Sequence, residues 1–386
     1  LVAKARMSAP TGPVFRLCYG ALHVVLRPEY RSWAPGAPGA ASASRDLEQS
    51  IDWSATMRLR LEMDALGVGV AEAMDTAQRF LLGWDVARRL IAETGLLKLS
   101  SGFCAGAGTD QLDDIHKPAD LIDAVVEQCA YIAAHGGIPV ILPMPWLCEQ
   151  KASEQDFVDV YEAIIKSVRG PVFLHWLGPM FLPSLRGYFP GESFARVMAL
   201  DPSVVRGCKL SLLDPAFEER VRKQLLPREQ IVLTGDDFHF GQLILGDGEA
   251  PTRTTMIGNR RVALGDFSHA LLGIFDAVAA PAQAAIGLLE AGDQQGYAER
   301  MGRCEALGQL VFQQPTQHYK AGLAFLAWLN GSQDNFMLID REDLCRDREH
   351  YVRCAELARR ADCVRNPAIF DQRLAEFAAA PWPPSP

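Results

Sequence analysis

Lys209 is the residue of this 386-residue chain whose type and position point most directly to covalent chemistry. It follows residues 204–208, a mostly apolar segment typical of a buried strand. Burial disfavours the ammonium form, so we expect the pKa of this lysine to lie below its usual value of about 10.4. A neutral amine attacks a carbonyl group and forms an iminium ion, which accepts the electrons of a neighbouring bond. The alternative is a lysine whose stem packs on the sheet while its ammonium reaches solvent or a carboxylate.

Further polar side chains follow other apolar segments of the chain. His175 ends the segment 172–175, and Asp236 and Asp237 come shortly after the segment 231–234. Histidine and aspartate transfer protons, bind hydroxyl groups or bind divalent metals. Neighbouring strand residues point to opposite faces, so we expect one of the two aspartates at most to face the site. The other candidate contacts to substrate are Glu72, Asp75, Trp146, His239 and His269.

The elements that must position these residues alternate along the chain. Short apolar segments typical of strands alternate with helical segments, which indicates an α/β protein with a parallel sheet. Eight such strands predict a (β/α)₈ TIM barrel, in which the reacting groups lie at the C-terminal ends of the strands. The predicted strands are residues 16–26, 67–72, 97–101, 138–143, 172–175, 204–210, 231–234 and 264–268. We interpret the glycine-rich residues 102–108 as a tight turn near the site.

The chain is expected to form one barrel with a helical addition. We predict the barrel over residues 14–290 and a C-terminal helical extension over residues 291–375. Residues 1–13 and 376–386 are expected to lie outside the folded unit. Residues 32–44 are rich in Pro, Gly, Ala and Ser and are predicted to form a mobile loop.

The composition excludes several classes of function. A net charge of −9 argues against binding to nucleic acid, which needs a clustered basic surface. We find no apolar stretch of about 20 residues and no signal peptide, so we expect neither a membrane helix nor export. Nine cysteines at scattered positions, without a Cys-x-x-Cys pair, predict free thiols and a cytoplasmic location.

Two strand segments resemble a known family. Gly207-Cys208-Lys209, followed about 25 residues later by Gly235-Asp236-Asp237, resembles the dihydrodipicolinate synthase/N-acetylneuraminate lyase superfamily of class I aldolase-like enzymes. Residues 138–145, 171–175 and 315–323 resemble its fourth strand, its fifth strand and the start of its C-terminal extension. The resemblance runs in order from residue 14 to residue 365, and the chain looks like a divergent branch.

The resemblance implies an activity as well as a fold. It implies that Lys209 is the Schiff-base lysine of a lyase or aldolase, and that His175 replaces the family's tyrosine as proton relay. It further implies that no cofactor is needed, that the substrate is a small molecule, and that the chain forms a homo-oligomer of two or four copies.

One segment departs from the family pattern. The family has a Gly-Thr-Thr-Gly-Glu loop that holds the carboxylate of a 2-oxo acid, and residues 69–76 replace it here with Glu72 and Asp75. Two acids repel a carboxylate and suit hydroxyl groups, so we expect a keto compound derived from a sugar or polyol. For Asp75 the alternative is a role at the N-terminus of the next helix, where an acid favours the helix dipole.

Two other functions fit the same barrel. The first is a metal-dependent isomerase, epimerase or hydrolase, although no His-x-His or His-Glu-x-x-His spacing supports it. Its candidate ligands are His23, Glu72, His175, Asp237, His239 and His269. The second is a barrel that binds a small ligand without catalysis, for example as a regulator. For His23, which lies in an apolar segment, a buried structural role is the main alternative.

Overall fold

Eight parallel strands close into a barrel in the computed structural model, which describes residues 12–30, 44–74 and 78–382. Each strand pairs with its neighbours in chain order, and the last barrel strand pairs with the first. The predicted (β/α)₈ barrel is therefore confirmed. Asp75 and most of the predicted mobile loop lie outside the described residues. The barrel strands are β1 (Cys18–Ala21), β2 (Gly69–Glu72), β3 (Phe103–Ala107), β4 (Ile138–Ile141), β5 (Val172–Leu177), β6 (Val205–Ser211), β7 (Ile231–Thr234) and β10 (His269–Leu272).

Helices surround the barrel and continue beyond its last strand. The α-helices are α1 (Ser44–Ser50), α2 (Trp53–Ala65), α3 (Arg79–Leu96), α4 (Pro118–Ala134), α5 (Pro145–Glu149), α6 (Glu154–Ser167), α7 (Ser193–Ala199), α8 (Pro215–Leu225), α9 (Phe240–Leu245), α10 (Phe275–Glu290), α11 (Gln294–Val311), α12 (Lys320–Leu329), α13 (Arg348–Arg360) and α14 (Pro367–Ala379). Short 3₁₀-helices span Pro183–Leu185, Leu226–Arg228, Thr316–His318 and Ile339–Cys345. The predicted extension thus contains α11 to α14, and α14 runs past residue 375.

Polar side chains start several of these helices. The Asp52 carboxylate accepts a hydrogen bond from the backbone N–H of Ala55 at the start of α2. Ser153 and Asp156 form a reciprocal capping box at the start of α6. Such caps satisfy backbone N–H groups that have no partner within the helix, and this fixes where each helix begins.

The core has an inner and an outer layer because strand residues alternate in direction. Cys208 and Leu210 of β6 belong to the outer layer, between the strands and the helices. The inner layer fills the barrel with side chains from every second position. It includes Leu17, Tyr19, Ala71, Cys104, Val140, Phe173, Ile231, Leu233 and Leu271.

Two strands lie elsewhere than the sequence predicts. The third strand is Phe103–Ala107, so the prediction of residues 97–101 is wrong, as is the interpretation of residues 102–108 as a turn. Small residues form this strand because neighbouring groups come close: a Cβ at Gly106 would lie 2.7 Å from the Ala73 carbonyl oxygen. The eighth barrel strand is His269–Leu272 and not residues 264–268, because residue 264 ends a separate hairpin.

That hairpin covers the N-terminal end of the barrel. Its antiparallel strands are β8 (Arg253–Ile257) and β9 (Arg260–Leu264). Side chains of both strands, among them Ile257 and Val262, pack against the inner layer. With one end of the barrel covered, the C-terminal ends of the strands form the mouth where a site can open.

Two further predictions concern cysteines and membranes. All nine cysteines are free thiols, as the scattered spacing predicts, and Cys345 is the one that is exposed. Among the residues that the structure describes, no helix is both long and apolar enough to cross a membrane.

Candidate active site

Lys209 points into the barrel from β6. Its neighbours Cys208 and Leu210 face the outer layer, so alternation directs the lysine inward. Its backbone partners are His175 on β5 and Leu233 on β7. The side chain is 4% exposed, so nearly all of it is removed from water. This is the placement that amine chemistry in a barrel requires.

His175 and Ser211 lie on the same inner face beside the lysine. The Nε2 atom of His175 lies 3.2 Å from the Ser211 hydroxyl oxygen, and both side chains are buried. Ser211 follows Lys209 by two residues, so the two side chains share one face of β6. The sequence interpretation missed Ser211, although this spacing of two along a strand was a usable signal.

Gly235, just after β7, leaves the space that Lys209 and Ser211 occupy. A Cβ at this position would lie 2.9 Å from Lys209 Cε and closer still to the Ser211 hydroxyl. It would also lie 2.8 Å from the backbone oxygen of Leu210. The glycine therefore brings the backbone after β7 against the lysine side chain.

The two adjacent aspartates after β7 have different environments. Asp236 accepts hydrogen bonds from the backbone N–H groups of Phe238 and His239 and bonds the His239 ring, so it fixes the turn before α9. Asp237 is buried and accepts the N–H of Ile274 at 2.9 Å. Burial raises the pKa of Asp237 to about 7, opposed by that hydrogen bond and by the charge of Lys209. Leu233 faces the barrel interior and Gly235 lies against Lys209, so the same spacing of two directs Asp237, and not Asp236, toward the lysine's side.

Glu72 is paired with an arginine behind the barrel strands. Arg60 on α2 donates two hydrogen bonds of 2.9 Å to the two oxygens of Glu72, and both side chains are buried. The Thr94 hydroxyl and the Ala73 N–H donate to the same carboxylate. The arginine charge and these bonds outweigh burial and hold the pKa of Glu72 below its usual range. These partners occupy the oxygens that we expected to contact substrate hydroxyls.

A second lysine lies fully buried near the end of β1. Lys320, the first residue of α12, donates to the Ala21 carbonyl and lies 3.7 Å from Asp276. Asp276 also bonds His23 Nδ1 at 2.6 Å. Burial lowers the pKa of Lys320 to about 8, against the charge of Asp276. The signal for this lysine was its place at the start of an almost wholly apolar helix, which must be buried.

Three other predicted site residues have partners of their own. His269 is the first residue of β10 and bonds Leu17 N and the Ala263 carbonyl. Its predicted place at the C-terminal end of the eighth strand is therefore wrong, because it starts the strand at the opposite end. Trp146 on α5 donates to the Ile115 carbonyl at 2.9 Å. His239 is partly exposed beside Asp236.

The metal-binding alternative requires several ligands to converge. Among the described residues, no group of three or more His, Cys, Asp or Glu side chains is arranged to hold a metal ion. His23 and Glu72, two of the predicted ligands, bond Asp276 and Arg60 respectively. The groups that do converge are an amine, an imidazole and a hydroxyl, a set suited to covalent and proton-transfer chemistry.

Solved structures share this fold at low sequence identity. A dihydrodipicolinate synthase is 12% identical with a TM-score of 0.64, and the match covers 91% of this chain and 100% of that one. N-acetylneuraminate lyase from Proteus mirabilis is 12% identical with a TM-score of 0.60, over 91% of this chain and 99% of the other. A 2-keto-3-deoxygluconate aldolase variant from Sulfolobus solfataricus is 10% identical with a TM-score of 0.58, over 94% and 98%.

These similarities confirm the predicted resemblance at the level of the fold. No curated protein matches the sequence. One family model matches residues 1–380, which is nearly the whole chain. The chain therefore belongs to the family described as "Protein of unknown function (DUF993)".

Proposed function

We propose that this protein is a Schiff-base-forming lyase or aldolase that acts on a keto compound. The observation that carries the proposal is the inward placement of Lys209 beside His175 and Ser211 on one face of two paired strands. An amine in a site largely removed from water supplies its own electron sink, so the proposal includes no cofactor.

The reaction begins when the amine of Lys209 adds to the substrate carbonyl. Loss of water from the adduct gives an iminium ion. The bond between the α- and β-carbons of the substrate then breaks: its electron pair passes toward the iminium and gives an enamine, and the β-carbon, which carries a hydroxyl group, leaves as an aldehyde or ketone. His175, bonded to Ser211, removes the proton from the substrate hydroxyl in this step and returns it to the resulting enamine. Addition of water to the imine releases the product and restores the amine.

We further propose a substrate derived from a sugar or polyol. Among the predicted acidic residues that the structure describes, Asp237 is the remaining candidate for a substrate hydroxyl, since the oxygens of Glu72 are taken by Arg60, Thr94 and Ala73 and Asp236 bonds the turn before α9. Serine, histidine and aspartate on the same side of the barrel offer both donors and acceptors to such hydroxyls. The resemblance also leads us to expect a cytoplasmic homo-oligomer of two or four chains, whose mass light scattering measures.

Borohydride trapping tests the proposed amine. The protein is incubated with hydroxyacetone, with pyruvate and with a panel of keto sugars, each with sodium borohydride, and the modified peptide is identified by mass spectrometry. We expect the reduced adduct on Lys209 and none in Lys209→Met. Lys166→Met, which removes an exposed lysine of α6, is the matched control and should trap like the wild type.

Two results would contradict the proposal. Turnover in Lys209→Met equal to that of the wild type would rule out the amine as the reacting group. Activity that EDTA abolishes, and that survives in Lys209→Met, would favour the metal-dependent alternative.

A further inference from the structure

Helix α11, the first helix of the C-terminal extension, packs along the turn that follows β7. This turn, residues 236–241, carries Asp237 and reaches into the start of α9. Three side chains of α11 form hydrogen bonds with backbone groups of the turn. The bonds join the Tyr297 hydroxyl to the Gly241 carbonyl (2.6 Å), the Gly241 N–H to the Glu305 carboxylate (2.7 Å) and the Gln309 amide to the Phe238 carbonyl (3.2 Å).

Gly308 brings α11 against the backbone of Asp237. A Cβ at Gly308 would lie 2.6 Å from the Asp237 carbonyl oxygen and 3.6 Å from Ile274 Cγ1. Ile274 supplies the N–H that the Asp237 carboxylate accepts. At one position, the helix therefore contacts both the aspartate and the residue that donates to it, and a side chain at Gly308 must displace the turn.

The Asp237 carboxyl is sensitive to such a displacement because protein groups, and not water, surround it. Its side chain is buried, and burial raises its pKa to about 7, with the charge of Asp236 acting in the same direction. The Ile274 N–H and the charges of Lys209 and Lys320 oppose the rise. Interactions of this kind weaken with distance, so the balance depends on where the turn holds the carboxyl.

We propose that α11 positions Asp237 beside Lys209, with Gly308 and Glu305 as the positioning residues. The inference rests on the proposed function and deepens it: the helix sets the place at which the Asp237 carboxyl meets a substrate hydroxyl. The C-terminal extension thereby contributes to the site of the barrel through the backbone of one turn, and its own side chains do not touch the substrate.

The pH dependence of imine trapping reports the surroundings of the Asp237 carboxyl. The full chain is incubated with hydroxyacetone and sodium cyanoborohydride at a series of pH values, and mass spectrometry measures the rate of trapping at Lys209. We expect the rate in the wild type to change with an inflection at about pH 7, where Asp237 ionises, and Asp237→Asn should remove this inflection.

Gly308→Ala should move the inflection to higher pH. An ordinary contact begins near 3.4 Å, so the added methyl group displaces the Asp237 carbonyl by up to about 0.8 Å. The displaced carboxyl loses part of its bond to Ile274, which favours the neutral acid. A hydrogen bond to a charged group is worth about 1–2 pH units, so we expect a shift of about 0.5–1 unit. Gly302→Ala on the same helix, where a Cβ meets nothing within 4 Å, is the matched control and should keep the wild-type profile.

Variants of Glu305 test the hydrogen bonds of α11 without adding atoms to the packing. Glu305→Leu leaves the Gly241 N–H without its acceptor and loosens the turn, so it should shift the inflection in the same direction. This variant decides the test where Gly308→Ala does not fold. Glu305→Gln keeps an acceptor oxygen for the same N–H and should keep the wild-type profile.

Urea denaturation from about pH 3 to pH 9 gives a second measurement, which needs no substrate. The pKa of Asp237 is about 7 in the folded chain and about 3.9 in the unfolded chain. The stability that the neutral acid contributes is therefore complete below about pH 3.9 and is lost as the pH rises to about 7. In Gly308→Ala the loss should continue to a pH about 0.5–1 unit higher. Asp237→Asn, combined with each variant, isolates this contribution.

The outcomes separate this inference from the proposed function. Wild-type pH profiles in both Gly308→Ala and Glu305→Leu would overturn the positioning by α11. A shifted stability profile without any trapping at Lys209 would support the positioning and contradict the proposed function alone. Trapping at Lys209 with a pH profile that neither variant moves would contradict the positioning alone.

Discussion

Gly235→Ala is a small change that should damage the site strongly. The added methyl group would lie 2.9 Å from Lys209 Cε, 2.8 Å from the Leu210 carbonyl oxygen, and closer still to the Ser211 hydroxyl. The backbone of Gly235 does not lie in the left-handed region, so alanine meets no conformational penalty there. The effect of the substitution is therefore steric.

The size of the effect follows from these distances. An ordinary contact begins near 3.4 Å, so Lys209 Cε must move by about 0.5 Å and the Ser211 hydroxyl by more. A misplacement of about 1 Å costs roughly 100-fold in rate, so we expect imine formation to slow by about 10- to 100-fold. Overpacking a filled core of this kind should also cost about 1–3 kcal/mol of unfolding free energy.

Two measurements test this prediction. The rate of irreversible inactivation by borohydride with hydroxyacetone or pyruvate reports imine formation, and urea denaturation reports the free energy of unfolding. Gly302→Ala on α11 is the matched control, because a Cβ there meets nothing within 4 Å, and it should keep the rate and gain about 0.5–1 kcal/mol of stability. A Gly235→Ala variant with wild-type rate and stability would refute the close packing of Lys209 against this glycine.

Three further substitutions probe buried polar groups. Arg60→Met should lower the unfolding free energy by about 3–5 kcal/mol because it leaves Glu72 charged and unpaired, and a smaller loss in urea denaturation than in an exposed-arginine control would contradict the ion pair. Burial raises the pKa of Glu218 to about 8, which favours the neutral acid in the folded state, so the contribution of Glu218 to stability should be complete below about pH 4.5 and should fall by about 1.4 kcal/mol per pH unit between there and pH 8. Glu218→Gln should flatten that pH profile. Tyr188→Phe leaves the Met144 N–H without its acceptor and should cost about 1–3 kcal/mol, and an unchanged denaturation midpoint would argue against that bond.

Much of the barrel could be predicted from the sequence because its strands are short, apolar and separated by helices. The segments around Lys209 and His175 lie where the sequence predicts, since β-branched and aromatic residues favour strands. The third strand escaped prediction because glycine and alanine have low strand propensity. They are present here because neighbouring groups approach this strand closely. The eighth strand escaped prediction because the apolar residues that end the preceding hairpin, Val262 to Leu264, lie a few residues before it and look like the start of a strand.

The site was harder to predict because the partner of each polar side chain comes from a part of the chain that is distant in sequence. Glu72 lies at the C-terminal end of β2, where a residue of the site is expected. Its side chain points toward α2, and this direction depends on the register of β2 and on the ion pair with Arg60. Lys320 meets the Ala21 carbonyl across 299 residues, and no local pattern encodes that contact. The predicted roles of Lys209 and His175 stay predictions until trapping and pH profiles are measured.

The pairing of β1 with β10 has a consequence for synthesis on the ribosome. Leu17 and His269 meet at this seam although 252 residues separate them. At about 5–20 residues per second, the first strand waits roughly 10–50 s for its partner. During that interval its hydrogen-bonding edge is open to other nascent chains, and an open edge is a template for aggregation. Slow translation or a high local chain concentration should therefore lower the yield of this protein more than that of a chain whose terminal strands pair with their sequence neighbours.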